Sequence, residues 1–83
     1  MSTEKHEPKP FHIIVNARPR EVSGDGINYK QVVLLAYPNA DFGQFDFEVH
    51  YTGPYVPDGS LVDGQSVSLH NGLKFDVVRT NKS

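Results

Sequence analysis

Phe45-Asp46-Phe47-Glu48-Val49-His50-Tyr51, FDFEVHY, alternates without a break: Phe45, Phe47, Val49 and Tyr51 fall on one side, Asp46, Glu48 and His50 on the other. Successive side chains of a strand point to opposite faces, so this stretch predicts a strand with one buried, largely aromatic face and one solvated face. Such a strand needs partners in a sheet and an apolar layer over its aromatic side. The segments on either side supply both.

Upstream, NYKQVVLLAYP at 28–38 opens with Asn28 as a helix cap and Gln31 three residues on, the capping-box spacing, with Ile27 and Val32 in the positions of a hydrophobic staple. Val32, Leu35 and Ala36 share a face at i, i+3, i+4, and Pro38 ends the element, predicting one short amphipathic helix over Tyr29–Tyr37. Before it, FHIIVN at 11–16 places Phe11, Ile13 and Val15 on one face, a first strand. Pro19 predicts a turn over Ala17–Pro19, with Arg20–Val22 as a short second strand. Ser23-Gly24-Asp25-Gly26 reads as a flexible turn into the helix.

Downstream, Gly53-Pro54, Pro57 and Asp58-Gly59 mark an irregular segment in which Leu61 and Val62 are candidate core plugs. Ser66–Leu69 and Leu73–Val78 read as two strands, and Asn71-Gly72 between them is the favoured pair for a type I′ turn, which predicts an antiparallel hairpin. The order strand, strand, helix, strand, strand, strand describes an α+β fold, a mixed sheet of about five strands with one helix across one face. Phe11, Phe45, Phe47, Tyr51 and Phe75 are then core residues packed against Val32, Leu35 and Ala36.

Eighty-three residues suit a single domain, and 37% hydrophobic with 22% charged residues is a globular balance. MSTEKHEPKP, residues 1–10, is charged, carries two prolines and is expected to be a disordered arm; the domain is expected over 11–79, and 80–83 as a flexible tail. A net charge of −2 with scattered Lys and Arg offers no basic patch, so no nucleic-acid partner is expected. Without cysteine there is no disulfide, thiolate metal site or cysteine nucleophile. No apolar run approaches the ~20 residues of a membrane span, and a cytoplasmic, membrane-free protein is expected.

His6, His12, His50 and His70 lack the spacing of a helical metal pair, and His12 and His50 alternate outward on strands; no metal site is expected. Gly24-x-Gly26 lacks the third glycine and the Lys-Ser/Thr pair of a phosphate loop, and no serine stands in a nucleophile elbow. Neither catalytic residues nor a cofactor are expected. Ile14 is sent outward by the register that buries Ile13 and Val15, and Val78 shares its exposure, so the two are covered by an arm or loop or form a partner surface.

This element order, with FEVHYTGPYVPDGSLVDGQSVSLHNGLKFDVVRTNKS after NYKQVVLLAYP, resembles the bacterial ubiquitin-like proteins of the multiubiquitin domain family, which have the β-grasp fold. The resemblance spans Phe11 to Ser83. It is carried by Leu34-Leu35-Ala36-Tyr37, Gly59-Ser60-Leu61 with Gly64 and Val67, Gly72-x-x-Phe75, and Thr80-Asn81-Lys82-Ser83. It implies a protein modifier, one domain in place of a tandem array, whose partners are an E1-like adenylating enzyme, an E2-like conjugating protein, a processing peptidase and target proteins, in defence against phage.

Ubiquitin and the sulfur carriers end in Gly-Gly, whereas no glycine follows Gly72 here. The resemblance implies that a peptidase removes Lys82 and Ser83, leaving Asn81 as the terminal residue for activation, with Arg79 and Thr80 recognised as tail. The residues alone also allow a frayed terminus and a non-covalent β-grasp adaptor that binds through the sheet face around Ile14.

Overall fold

In the computed structural model, which describes residues 10–54 and 56–82, FDFEVHY forms strand β4 (Phe45–Thr52), with Phe47 and Val49 buried and Asp46, Glu48 and His50 exposed. Strand β7 (Lys74–Asn81) runs antiparallel to it throughout, from Phe45 opposite Asn81 to Thr52 opposite Lys74. On its other side β7 lies parallel to β1 (Phe11–Val15), which forms a hairpin with β2 (Arg18–Val22), while β5 (Gly59–Leu61) pairs with the far side of β4. The sheet order is β2-β1-β7-β4-β5, and helix α1 (Tyr29–Ala36) packs on the face carrying Ile13, Val15, Phe47, Val49, Phe75 and Val77. This mixed sheet with a helix across it is the expected ubiquitin-like β-grasp.

The capping box forms as its spacing predicts. Asn28 Oδ1 accepts from the Gln31 amide and Gln31 Oε1 from the Asn28 amide, both at 2.9 Å. Ile27 and Val32, the staple pair, are both buried. The buried face is turned from the expected one: Val32 and Val33 are fully covered, while Leu35 and Ala36 are only partly so, because the helix settles its Val33 side on the sheet. The Tyr29 hydroxyl donates to the Phe47 carbonyl at 3.1 Å and ties α1 to β4; its burial, reinforced by the charges of Asp63 and Asp46, holds it above the ordinary phenol range.

Several local expectations are corrected. The Asn71-Gly72 hairpin does not form: β7 is threaded between β1 and β4, where Phe75 and Val77 find cover on the helix face. Strand β6 (Ser66–Ser68), with one apolar residue between two serines, pairs instead with β3 (Gly26–Asn28), in a two-stranded ribbon outside the main sheet. Gly26, expected in a flexible turn, is therefore a strand residue; a Cβ there would stand 2.9 Å from the Val67 carbonyl oxygen.

The turn after β1 is Asn16-Ala17, not Ala17–Pro19. Both residues have positive φ, 50° and 68°, and Val15 faces Arg18 across them, the two-residue hairpin geometry that matches strand twist. Pro19 lies inside β2 opposite Ile14 without cost, because β2 is the edge strand and position 19 directs its backbone nitrogen away from β1. Residues 59–61, expected to be irregular, form β5, which buries Leu61 against Val49; alternation sends Val62 out, 58% exposed and no core plug. Finally, β7 runs on through Thr80 and Asn81, which were expected in a flexible tail. Residues 1–9 of the expected arm, with His6, lie outside the described residues, as does Ser83.

Candidate functional site

On its β1 side, the end of β7 is held by one side chain, that of Asn16. Along 73–75 the strand is bonded to β1: the Ile14 amide donates to the Leu73 carbonyl and the Asn16 amide to the Phe75 carbonyl, each at 2.9 Å. There the chain turns into β2, but the Asn16 side chain takes over the next rung. Its Oδ1 accepts from the Val77 amide at 2.7 Å and its Nδ2 donates to the Val77 carbonyl at 3.1 Å. A primary amide has the donor and acceptor of a peptide unit, so Asn16 replaces a strand residue at the point where β1 stops.

Beyond Val77 the strand is held from the other side. Arg79 sits with its guanidinium carbon 4.4 Å from the centre of the Phe45 ring and 5.7 Å from that of Tyr37, within cation–π range. The Thr80 hydroxyl donates to the Asp46 carbonyl at 3.4 Å. Asn81 faces Phe45 at the last position of the ladder, and Lys82 follows it outside any element. Arg79 to Lys82 are all solvent-exposed; Ser83, the fifth tail residue singled out in sequence, lies outside the described residues.

Ile14 and Val78, the two apolar residues expected outward, both lie on the face opposite α1, with Val78 48% exposed and Ile14 partly covered. They are not neighbours. Ile14 is level with Lys74, four residues from Val78 along β7, a separation of about 13 Å, with Asp76 between. The same face carries His12 beside Glu21 at 3.6 Å and His50 beside Glu48 at 3.7 Å, both pairs exposed. Among the described residues no three His, Asp or Glu side chains gather as a metal site.

The multiubiquitin family model matches residues 11–81, from the first residue of β1 to the last of β7. The chain belongs to the multiubiquitin family. No curated protein and no solved structure matches it. In this multiubiquitin domain the tail is anchored by residues that a sequence reading passes over: Asn16, which reads as the last residue of a strand, and Tyr37 and Phe45, which read as helix end and core. The signal for Asn16 was its identity, since asparagine is the ordinary side chain to enter a left-handed turn. No helix among the described residues is long and apolar enough to cross a membrane.

Proposed function

We propose that this multiubiquitin domain is a protein modifier, a substrate of enzymes and not itself one, processed after Asn81 in the cytoplasm and carried to its targets by E1-like and E2-like proteins in defence against phage. The observation that carries this reading is the coincidence of two limits at one residue. The family match and the last strand both close at Asn81, and Lys82 beyond it belongs to neither. A C-terminus used in conjugation must be presented by a folded body and end in an accessible carboxylate, and the exposed Arg79–Asn81 segment on a fixed sheet meets that requirement.

The test is mass spectrometry of the purified chain incubated with the proposed processing peptidase. The expected product is lighter by Lys82-Ser83; an unchanged mass in the presence of a peptidase active on another substrate refutes processing at this position. Asn81→Ala is expected to block maturation or conjugation.

A second reading, a non-covalent adaptor using the face opposite α1, draws on the exposure of Val78 and part of Ile14. Deleting 80–83 separates the two, because an adaptor keeps its binding and a modifier loses conjugation.

A further inference from the structure

The edge of β7 is incomplete. Residues 73, 75 and 77 turn their backbone groups toward β1 and Asn16, so by the alternation of a strand Arg79 and Asn81 turn theirs the same way, and even-numbered positions turn toward β4. Opposite Arg79 and Asn81 no described strand continues, because the chain leaves the sheet line at Asn16-Ala17 and returns as β2. By that alternation two amide donors and two carbonyl acceptors face a lane in which no described strand lies. An open edge of this kind is a template for an added strand. The other long edge, β2, presents Pro19 and lacks that donor.

The surroundings of the lane select its occupant. On the helix side, Arg18 and Arg20 of β2 share a groove with Leu35 and Tyr37, and Arg79 lies over the same Tyr37 ring. Arg20 donates to the Leu35 carbonyl at 3.4 Å, and its Nε is buried without a partner. The ion pairs among the described residues are two, His12 with Glu21 and His50 with Glu48, and neither involves an arginine. Among the described residues, Arg18 and Arg20 flank the lane with no carboxylate in ion-pair distance, while Arg79 leans toward Phe45 and lines a neighbouring groove with Asp41; the two lane-side arginines disfavour a second copy of the chain paired edge to edge. They complement a strand whose alternate side chains are acidic.

We propose that the free edge of β7 at Arg79–Asn81 takes an extended acidic segment of a partner protein as an added strand, lying in the line of β1 beyond the Asn16-Ala17 turn, with its carboxylates toward Arg18 and Arg20. The inference does not rest on cleavage after Asn81, since the lane is open in the uncleaved chain.

The experiment supplies the strand in tethered form, so that a weak interaction is read at the roughly millimolar effective concentration of a short linker. The full chain is extended past Ser83 by Asn-Gly and a short strand of alternating Glu and Val, and amide hydrogen exchange is followed residue by residue. Because β4 already occupies the other side of β7, the extension can pair only along the open lane. The Arg79 and Asn81 amides are expected to exchange roughly tenfold more slowly than in the unextended chain. A Lys/Val extension is expected to give no protection, and Arg18→Glu is expected to reverse the preference. Arg18 is exposed, and a melting curve identical to the parent's shows that this variant folds. Absence of protection with the Glu/Val strand overturns the added strand; equal protection by both extensions overturns the acidic partner.

Discussion

The Asn16 side chain carries the last rung between the β1 side and the last strand, and removing it tests this directly. Its two bonds to Val77, at 2.7 and 3.1 Å, are partly buried, and a hydrogen bond of that kind is worth a net ~0.5–1.5 kcal/mol. Asn16→Gly, which keeps the left-handed turn accessible, is therefore expected to cost about 1–3 kcal/mol. In a domain of this size that lowers the melting temperature by roughly 5–20 °C. Asn16→Ala loses the same bonds and adds the penalty of φ 50° for a residue with a Cβ, about 1–2 kcal/mol, offset by ~0.4–1 kcal/mol through the stiffer unfolded chain. The alanine variant should thus be less stable than the glycine variant by up to about 1.6 kcal/mol.

Urea unfolding followed by far-UV circular dichroism measures the order of the three proteins, and amide exchange locates the effect. In Asn16→Gly the Val77 amide should lose protection, and the ladder beyond it should fray, because Arg79–Asn81 have no other support on that side. A glycine variant with the parent's midpoint and an unchanged Val77 exchange rate would refute the claim that the side chain serves as a rung. An alanine variant more stable than the glycine one would refute the backbone half of the reasoning.

Three further outcomes follow from neighbouring features. Ala17→Gly should stabilise the protein by up to about 1 kcal/mol, measured as a raised urea midpoint, because Ala17 holds φ 68° and Asn-Gly is the preferred pair for that turn. Phe47→Ala removes a ring that is 6% exposed and packed against Tyr37 and Phe42; it should cost ~3–5 kcal/mol and leave little folded protein in a thermal melt. Tyr29 has a folded pKa raised by burial, so its contribution is fully present below pH 10 and is lost as pH rises beyond it. The urea midpoint should fall more steeply above pH 10 for the parent than for Tyr29→Phe, and equal slopes would show that the hydroxyl is not buried in solution.

The parts of the fold legible in sequence are those in which local chemistry and tertiary burial agree. FDFEVHY became β4 because every odd position found the helix side of the sheet, and Asn28 and Gln31 closed their capping box because their spacing lets each side chain reach the other's backbone amide. The misreadings are instructive in the same terms. Asn71-Gly72 has the composition of a hairpin turn, but Gly72 alone takes positive φ, while the Asn71 side chain accepts from the His12 amide at 2.9 Å and fastens the crossing into β7. The real two-residue turn was concealed by Ala17, a residue with a Cβ in a conformation that favours glycine. β3 and β5, three residues each, are too short for any periodicity to show. In the tail, Arg79-Thr80-Asn81 has no apolar residue to announce a strand, and its pairing comes from β4 and from the ring of Phe45 beneath Arg79.

On the proposed reading, that pairing bears on how the segment through Asn81 is presented. A glycine pair frees a chain end from clashes in a narrow active site by dispensing with side chains, whereas the segment through Asn81 is an ordered strand. The alternation that turns Thr80 toward β4 turns the Asn81 backbone toward the open lane, so the bond that processing would break faces solvent on the side where no strand lies. A peptidase approaching there would not have to displace β4. It would meet the backbone groups of Arg79 and Asn81 as ready partners, as extended substrates are commonly bound. On the proposed reading, the sheet takes over the work that glycine does elsewhere, holding the scissile carbonyl outward by strand geometry. Asn81 is then fixed in orientation by its neighbours Arg79 and Thr80. Loosening those two, through Arg79→Ala or through Asn16→Gly upstream, should slow processing more than it lowers the stability of the body.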